Sequence, residues 1–225
     1  MTETTRWWWI RHAPVINPDG LIYGQRDLEA DTGDAAAFAA RAAGLPGGRP
    51  VLLTTPLRRT RQTLAALRAA GWAEGAGDPA VEPDLVEQSF GDWQGRPRVE
   101  VYEALGRRHP FWLSPAATRP PGGESFVDLM ARAATAIERL SDAHAGRDIV
   151  AVAHGGTIRA AVAQALELAP EAALRLSVDT LSLTRIDRIP TDDGPPAWRV
   201  AGVNLPAVGA ATGAATGTGP AAPTV

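Results

Sequence analysis

The chain contains no cysteine and no lysine. The first absence removes disulfides, thiolate metal ligands and a cysteine nucleophile. The second leaves arginine at all 22 strongly basic positions. A Schiff base to an enzyme lysine is therefore excluded, and so is a phosphate loop built around a lysine. Any bound oxyanion must be held by arginine, histidine or backbone amides. Arginine suits a phosphate, because its planar fork donates two parallel bonds and keeps its charge. No stretch approaches the roughly 20 apolar residues of a membrane span. The N-terminal segment lacks a basic region followed by a long apolar run, so no secretory signal and a cytoplasmic location are expected. A net charge of −3 over 225 residues supplies no global field for nucleic acid. The expected partner is a small molecule, not a nucleic acid or a membrane, and a homodimer stays open.

What is present is an alternation of apolar strands and helical segments. Residues 7–10, 51–54 and 149–153 are short apolar runs that read as buried strands. Residues 31–43, 59–70, 97–108 and 157–168 have helical composition. Phe126, Leu129, Met130, Ala133, Ile137 and Leu140 keep one apolar face along 124–143, the clearest helix of the chain. Residues 79–86 read as a short strand weakened by Pro83. Residues 181–186 and 198–203 read as two late strands of a hairpin. The pattern predicts an α/β fold, a three-layer α/β/α sandwich with a mostly parallel central sheet. The domain is expected to span 1–206. Residues 207–225 carry no charge and no aromatic, and are expected to be a disordered tail.

Two of the four histidines share a position. His12 ends the run Trp-Trp-Trp-Ile-Arg, and His154 follows Ile-Val-Ala-Val-Ala and precedes Gly155 and Gly156. Both stand just past the carboxyl end of a strand, where open α/β sheets bind ligands. The glycines allow close backbone approach, and the helix that follows would aim its first amides at an anion. His109 and His144 read as structural. No His-x-His or His-x-x-x-His spacing exists, so neither a metal nor another cofactor is expected.

Five segments then occur in order: Arg11-His12; residues 55–63, Thr-Pro-Leu-Arg-Arg-Thr-Arg-Gln-Thr; residues 85–95, Leu-Val-Glu-Gln-Ser-Phe-Gly-Asp-Trp-Gln-Gly; residues 121–125, Pro-Gly-Gly-Glu-Ser; and residues 153–156, Ala-His-Gly-Gly. Together they resemble the phosphoglycerate-mutase-like branch of the histidine phosphatase superfamily. The resemblance implies that His12 attacks phosphorus and becomes a phosphohistidine. It implies that Arg11, Arg59 and His154 hold the phosphoryl group, with Gly155 beside it, and that Glu87 is the general acid. Consecutive helical residues diverge by about 100°, so Arg58 and Arg59 cannot share one pocket, and the motif selects Arg59. Tyr23 and Arg61 are further candidates for substrate contact, and Arg159 reads as structural. Asn17 is a candidate too, although it falls one place early for the asparagine with which many members touch phosphate. Each full positive charge at about 4 Å would contribute roughly 4 kcal/mol at an effective dielectric near 20, before desolvation. That suffices for metal-independent phosphoryl transfer.

The expected activity is phosphomonoester hydrolysis on a small phosphorylated metabolite. The loop at 20–27 resembles that of members similar to α-ribazole phosphatase of cobalamin biosynthesis. The segment from Glu87 to Pro121 is shorter than in the glycolytic mutases, which favours hydrolysis over a mutase reaction. A non-catalytic protein that binds phospho-ligands on the same fold is the alternative from another class.

Overall fold

The three consecutive tryptophans divide between two faces of one strand, because side chains alternate along β structure. The computed structural model describes residues 3–207 except 18 and 107; nearly all of the expected tail lies outside the described residues. In chain order the elements are β1 (Thr5–Arg11), α1 (Ala35–Ala43), β2 (Val51–Thr54), α2 (Arg58–Ala69), β3 (Ala80–Val81), α3 (Arg98–Leu105), α4 (Pro110–Leu113), α5 (Phe126–Ala143), β4 (Asp148–Ala153), α6 (Gly155–Leu166), α7 (Pro170–Ala173), β5 (Leu183–Ile189) and β6 (Ala197–Leu205). The strands form one sheet in the order β3-β2-β4-β1-β5-β6. The first four in that order are mutually parallel, while β5 runs antiparallel to β1 and pairs with β6 as a hairpin. This is the mostly parallel α/β sheet that the alternation predicts.

Trp7 and Trp9 point to the layer of α5 and α6. Their rings stack at 4.7 Å and 8° against small residues such as Ala133, Ala136 and Ala160. Large side chains on the strand thus meet small ones on the helices, which lets the layers close without voids. The Trp7 indole N–H donates to Ser141 Oγ at 2.9 Å, so the ring is buried without an orphan donor. Ile10, Leu52, Val150 and Val152 pack on the opposite face against Phe38 of α1 and Leu64 and Leu67 of α2. Trp8 faces this side, only partly buried, with the Arg185 guanidinium 4.7 Å from its ring centre.

Element ends follow local capping. Helix α5 begins at Phe126 because Ser125 and Asp128 form a reciprocal capping box. Helix α1 begins at Ala35, after Asp34 accepts from the Ala37 amide at 3.0 Å. The predicted strand at 79–86 shrinks to two paired residues, because Pro83 opens a 3₁₀ turn. Helix α6 starts at Gly155, two residues earlier than predicted, with His154 at its N-cap. A third, smaller cluster unites Ile22, Phe90, Trp93, Val101 and Phe111. This aromatic cap faces the carboxyl ends of β1 and β4 across a pocket. Among the described residues, no helix is long and apolar enough to cross a membrane.

Trp9→Ala should lower unfolding free energy by about 3–5 kcal/mol, the usual cost of emptying a fully buried aromatic site. Trp8→Ala should cost clearly less. Urea denaturation of both variants checks the assignment of faces, which is wrong if Trp8 proves the costlier.

Candidate active site

Strand register brings the two strand-end histidines together. Arg11 lies opposite Ala153 in the parallel β1–β4 ladder, so the next residues, His12 and His154, emerge side by side. Their ring centroids are 5.3 Å apart. The His12 amide donates to the Ala153 carbonyl at 3.0 Å and continues the ladder one residue past β1. Strand β2 pairs on the far side of β4, which places Thr55 Oγ1 2.9 Å from His154 Nε2.

The hydrogen bonds assign the tautomer of His12. His12 Nδ1 is 2.7 Å from the Ala13 carbonyl, which can only accept, so Nδ1 carries the proton and Nε2 carries the lone pair. His154 Nε2 lies 2.9 Å from the Thr55 hydroxyl, and in one of its two tautomers it accepts there. In that tautomer His154 Nδ1–H is left as a donor. Four buried atoms at this point have no partner: Arg11 Nε, His12 Nε2, Arg59 Nε and His154 Nδ1. Among the described residues, unpartnered buried atoms also occur on Thr54, Gln164, Ser182 and Arg188. Buried polar groups are normally satisfied. One lone pair and three N–H donors in one place form a receptor for an electrophilic oxyanion.

The electrostatics favour a neutral nucleophile. Burial, then Arg59, then Arg11 push His12 down from 6.5 to about 3, against a smaller opposing effect of the Ala13 carbonyl. His154 is held well below 6.5 by burial first, and then by Arg59, His12, Arg11 and Arg132. Arg59 is fully buried, and burial lowers its pKa despite the opposing influence of Glu87. Its guanidinium donates to Arg26 O at 2.9 Å and Gly24 O at 2.7 Å, and lies 5.1 Å from the centre of the Tyr23 ring. His12, Arg59 and His154 have no exposed surface.

Glu87 approaches from the loop after the 3₁₀ turn Pro83–Leu85. Its Oε1 accepts from the Gly156 amide at 3.2 Å and the Gln88 amide at 3.0 Å. A Cβ at Gly156 would stand 2.4 Å from Glu87 Oε1, so a larger residue there would displace the carboxylate. Thr157 Oγ1 donates to the Leu85 carbonyl at 2.9 Å and ties the first turn of α6 to this loop. Gln25 Nε2 and Arg132 Nη2 both donate to the Glu87 carbonyl. Arg132 is in turn paired with Glu124 at 2.7 Å. Arg11, Tyr23, Glu87, Gly155 and Gly156 line the pocket.

Not every candidate arrives. Asn17 is used within its own loop, where both amide atoms bond to the Leu21 backbone at 3.0 and 3.1 Å. Arg61 is exposed on the outer face of α2. Arg58 is turned outward as well, to Glu29 at 2.7 Å, so Arg59 is the one that points inward. His109 caps α4 by accepting from the Phe111 amide, and His144 caps the end of α5. The supporting residues Thr55, Gln25, Arg132 and Thr157 carried no isolated signal in the sequence. Arg159, read there as structural, is brought to the pocket wall. Among the described residues, no group of three or more His, Asp or Glu is placed to hold a metal ion.

Comparison with known proteins places the chain in a family. The profile described as "Histidine phosphatase superfamily (branch 1)" matches residues 7–200. The chain is 33% identical over 153 residues to the bifunctional protein Rv2228c of Mycobacterium tuberculosis, covering 68% of this chain and 40% of that protein. It therefore spans well under half the length of that relative. It is 34% identical over 170 residues to the glucosyl-3-phosphoglycerate phosphatase of Mycolicibacterium vanbaalenii, covering 71% of this chain and 73% of that one. Among solved structures, mycobacterial hydrolase 2 superposes with a TM-score of 0.77 at 26% identity, covering 92% and 93% of the two chains. A putative α-ribazole-5′-P phosphatase from Escherichia coli superposes with a TM-score of 0.73 at 25% identity, covering 91% and 98%.

The depressed histidines make stability depend on pH. Folded His12 takes up no proton until about pH 3, whereas an unfolded histidine does so from about 6.5. The unfolded state thus binds more protons across that window, and stability falls as pH falls through it. Each such histidine contributes a slope of up to about 1.4 kcal/mol per pH unit. Melting temperature should drop between pH 7 and pH 4, and His12→Gln should flatten the dependence. An unchanged slope in that variant would contradict the neutral, buried assignment.

Proposed function

Because this chain belongs to branch 1 of the histidine phosphatase superfamily, we propose that it is a phosphomonoester hydrolase that works through a phosphohistidine. The observation that carries the reading is the set of four unpartnered buried atoms around His12 Nε2. A phosphoryl group placed there would receive Arg11 Nε, Arg59 Nε and His154 Nδ1–H on its oxygens, and His12 Nε2 on phosphorus. A phosphate monoester is close to a dianion at pH 7, since its second pKa is about 6. The two guanidiniums balance that charge, so no metal is needed for it. The neutral state of His12 near pH 7 leaves its lone pair free to attack.

In the first step the His12 Nε2–P bond forms and the P–O bond to the alcohol breaks. Glu87, as the acid, gives its proton to the leaving oxygen. In the second step Glu87, now a carboxylate, takes a proton from water as the water oxygen attacks phosphorus and the N–P bond breaks. Orthophosphate leaves and both residues return to their starting states. The Gly156 amide holds Glu87 against the first turn of α6, beside the attacked group.

Hydrolysis is favoured over phosphate migration because the segment from Glu87 to Pro121 is short, and a mutase must shield its phosphoenzyme from water. The relatives are named for glucosyl-3-phosphoglycerate and for α-ribazole phosphate. For this chain the substrate is a phosphorylated metabolite whose alcohol half rests on the aromatic wall of Phe90, Trp93, Tyr102 and Phe111.

Phosphate release from p-nitrophenyl phosphate should continue in excess chelator. His12→Ala should abolish both turnover and acid-labile labelling, and a labelled variant would remove the nucleophile assignment. Glu87→Gln should slow alkyl phosphates by roughly 10²–10⁴-fold and activated aryl phosphates far less. Gly156→Ala, which displaces the same carboxylate, should show the same leaving-group bias, with a loss of roughly 10²-fold. Equal losses on both ester classes would exclude Glu87 as the acid.

A further inference from the structure

The segment 178–182, between α7 and β5, wraps around Arg11 and contains a strained residue. Leu181 has φ +57°, a left-handed value that a side chain of its size rarely adopts. Such a conformation persists only where the surroundings impose it, and it collects beside functional sites. Three bonds join this segment to Arg11. The Leu181 amide donates to the Arg11 carbonyl at 3.0 Å, and the Arg11 amide donates to the Ser182 carbonyl at 3.3 Å. Arg11 Nη1 donates to the Val178 carbonyl at 2.5 Å. That last bond takes one corner of the guanidinium and leaves Nε unpartnered for the phosphoryl group. The position of the Val178 carbonyl therefore sets the direction in which Arg11 Nε points.

Two residues outside the pocket hold the segment. Arg41 of α1 is 2% exposed, and among the described residues no carboxylate pairs with it. Its Nε donates to the Leu181 carbonyl at 2.7 Å, and its Nη2 donates to the Leu205 carbonyl at 2.8 Å. A buried charge without a counter-charge is costly, and for the core alone an apolar side chain would serve better. What arginine adds is a pair of donors, one of which pins the strained Leu181 peptide. Asn204 of β6 holds the other end. Its Oδ1 accepts from the Asp179 amide at 2.6 Å, and its Nδ2 donates to Asp179 Oδ2 at 2.8 Å. The Asn204 amide is itself anchored on Thr184 Oγ1 at 3.2 Å. The segment is thus tied to α1 and β6, neither of which contributes to the pocket wall.

We propose that Arg41 and Asn204 are positioning residues for the reaction: by holding 178–182 they aim Arg11 Nε at the phosphoryl group. The inference rests on the phosphatase reading, in which Arg11 binds that group. Arg11 meets the phosphoryl oxygens and not the leaving alcohol. Loosening it therefore weakens every ester alike, and orthophosphate with them.

The test measures orthophosphate binding to the full chain by calorimetry, beside kcat/KM for an alkyl phosphate and for p-nitrophenyl phosphate. Asn204→Gly removes the side chain at a φ of +56°, which glycine adopts freely. Arg41→Met removes the donors and keeps an apolar stem. Each should weaken orthophosphate about tenfold and lower kcat/KM by roughly 10-fold to 10²-fold on both ester classes equally. Arg41→Lys, with one ammonium for two carbonyls, should restore part of the loss. A merely structural role would reduce the amount of active protein and leave the phosphate dissociation constant unchanged, which overturns the proposal. Should Arg41→Met fail to fold, Asn204→Gly decides. Asp179 also acts on Arg159 through its charge, a route that bypasses Arg11. Asn204→Gly is therefore repeated in an Arg11→Met background, where it should weaken phosphate no further. An equal loss in that background overturns the proposal. A wild-type chain that binds orthophosphate but releases none from p-nitrophenyl phosphate sinks the hydrolase reading, while the binding comparison still decides this inference.

Discussion

Parallel pairing of β1 with β4 sets Arg11 opposite Ala153, and the site depends on that register. A slip of one residue would part His12 from His154. It would also turn Trp7 and Trp9 out of the α5–α6 layer and into the layer of Phe38 and Leu64. The stacked tryptophans fill space left by alanines on α5 and α6. Core packing thus secures an alignment that the chemistry uses. The same register delivers the first turn of α6, whose amides and glycines complete the floor of the pocket.

The site departs from the rules that the rest of the fold obeys. Four polar atoms are buried without partners, each at a cost of about 1–3 kcal/mol. Around them the neighbours are well satisfied. Ala13 O fixes the ring of His12, Thr55 fixes His154, and two loop carbonyls fix Arg59. The unsatisfied edges are therefore held in place and do not relax onto one another. Such local conflict inside a consistent fold is what a preorganised anion receptor requires.

Much of the scaffold is legible in the sequence because it rests on local periodicity. The run 149–153 is apolar throughout and becomes a strand buried on both faces. The spacing of Phe126, Leu129, Ala133, Ile137 and Leu140 becomes the buried stripe of α5. Misjudged ends trace to single residues. Gly155 and Gly156 read as a turn, yet enter α6 as its first two residues, with His154 at the N-cap. His12 and His154 are visible as strand-end histidines. Glu87, in contrast, stands among Glu82, Asp84 and Asp92, and only the ordered motifs separate it from them. Arg61 and Asn17 show the limit of such transfer. Helix phase turns the first outward, and loop closure consumes the second.

By itself the sequence determined the chemical inventory and the layers. Arginine without lysine, the absence of thiols, two histidines past apolar runs and an alternation of strand and helix are all properties of composition and short-range order. Tertiary structure alone decided which nitrogen of each histidine is free, and it buries Arg59, the arginine that the motif selects, while Arg58 turns outward. It also decided that Arg159 borders the pocket. These outcomes depend on contacts between residues far apart in the chain, such as His154 with Thr55 and Gly156 with Glu87. Burial and hydrogen bonding across such separations exist only once the sheet has closed.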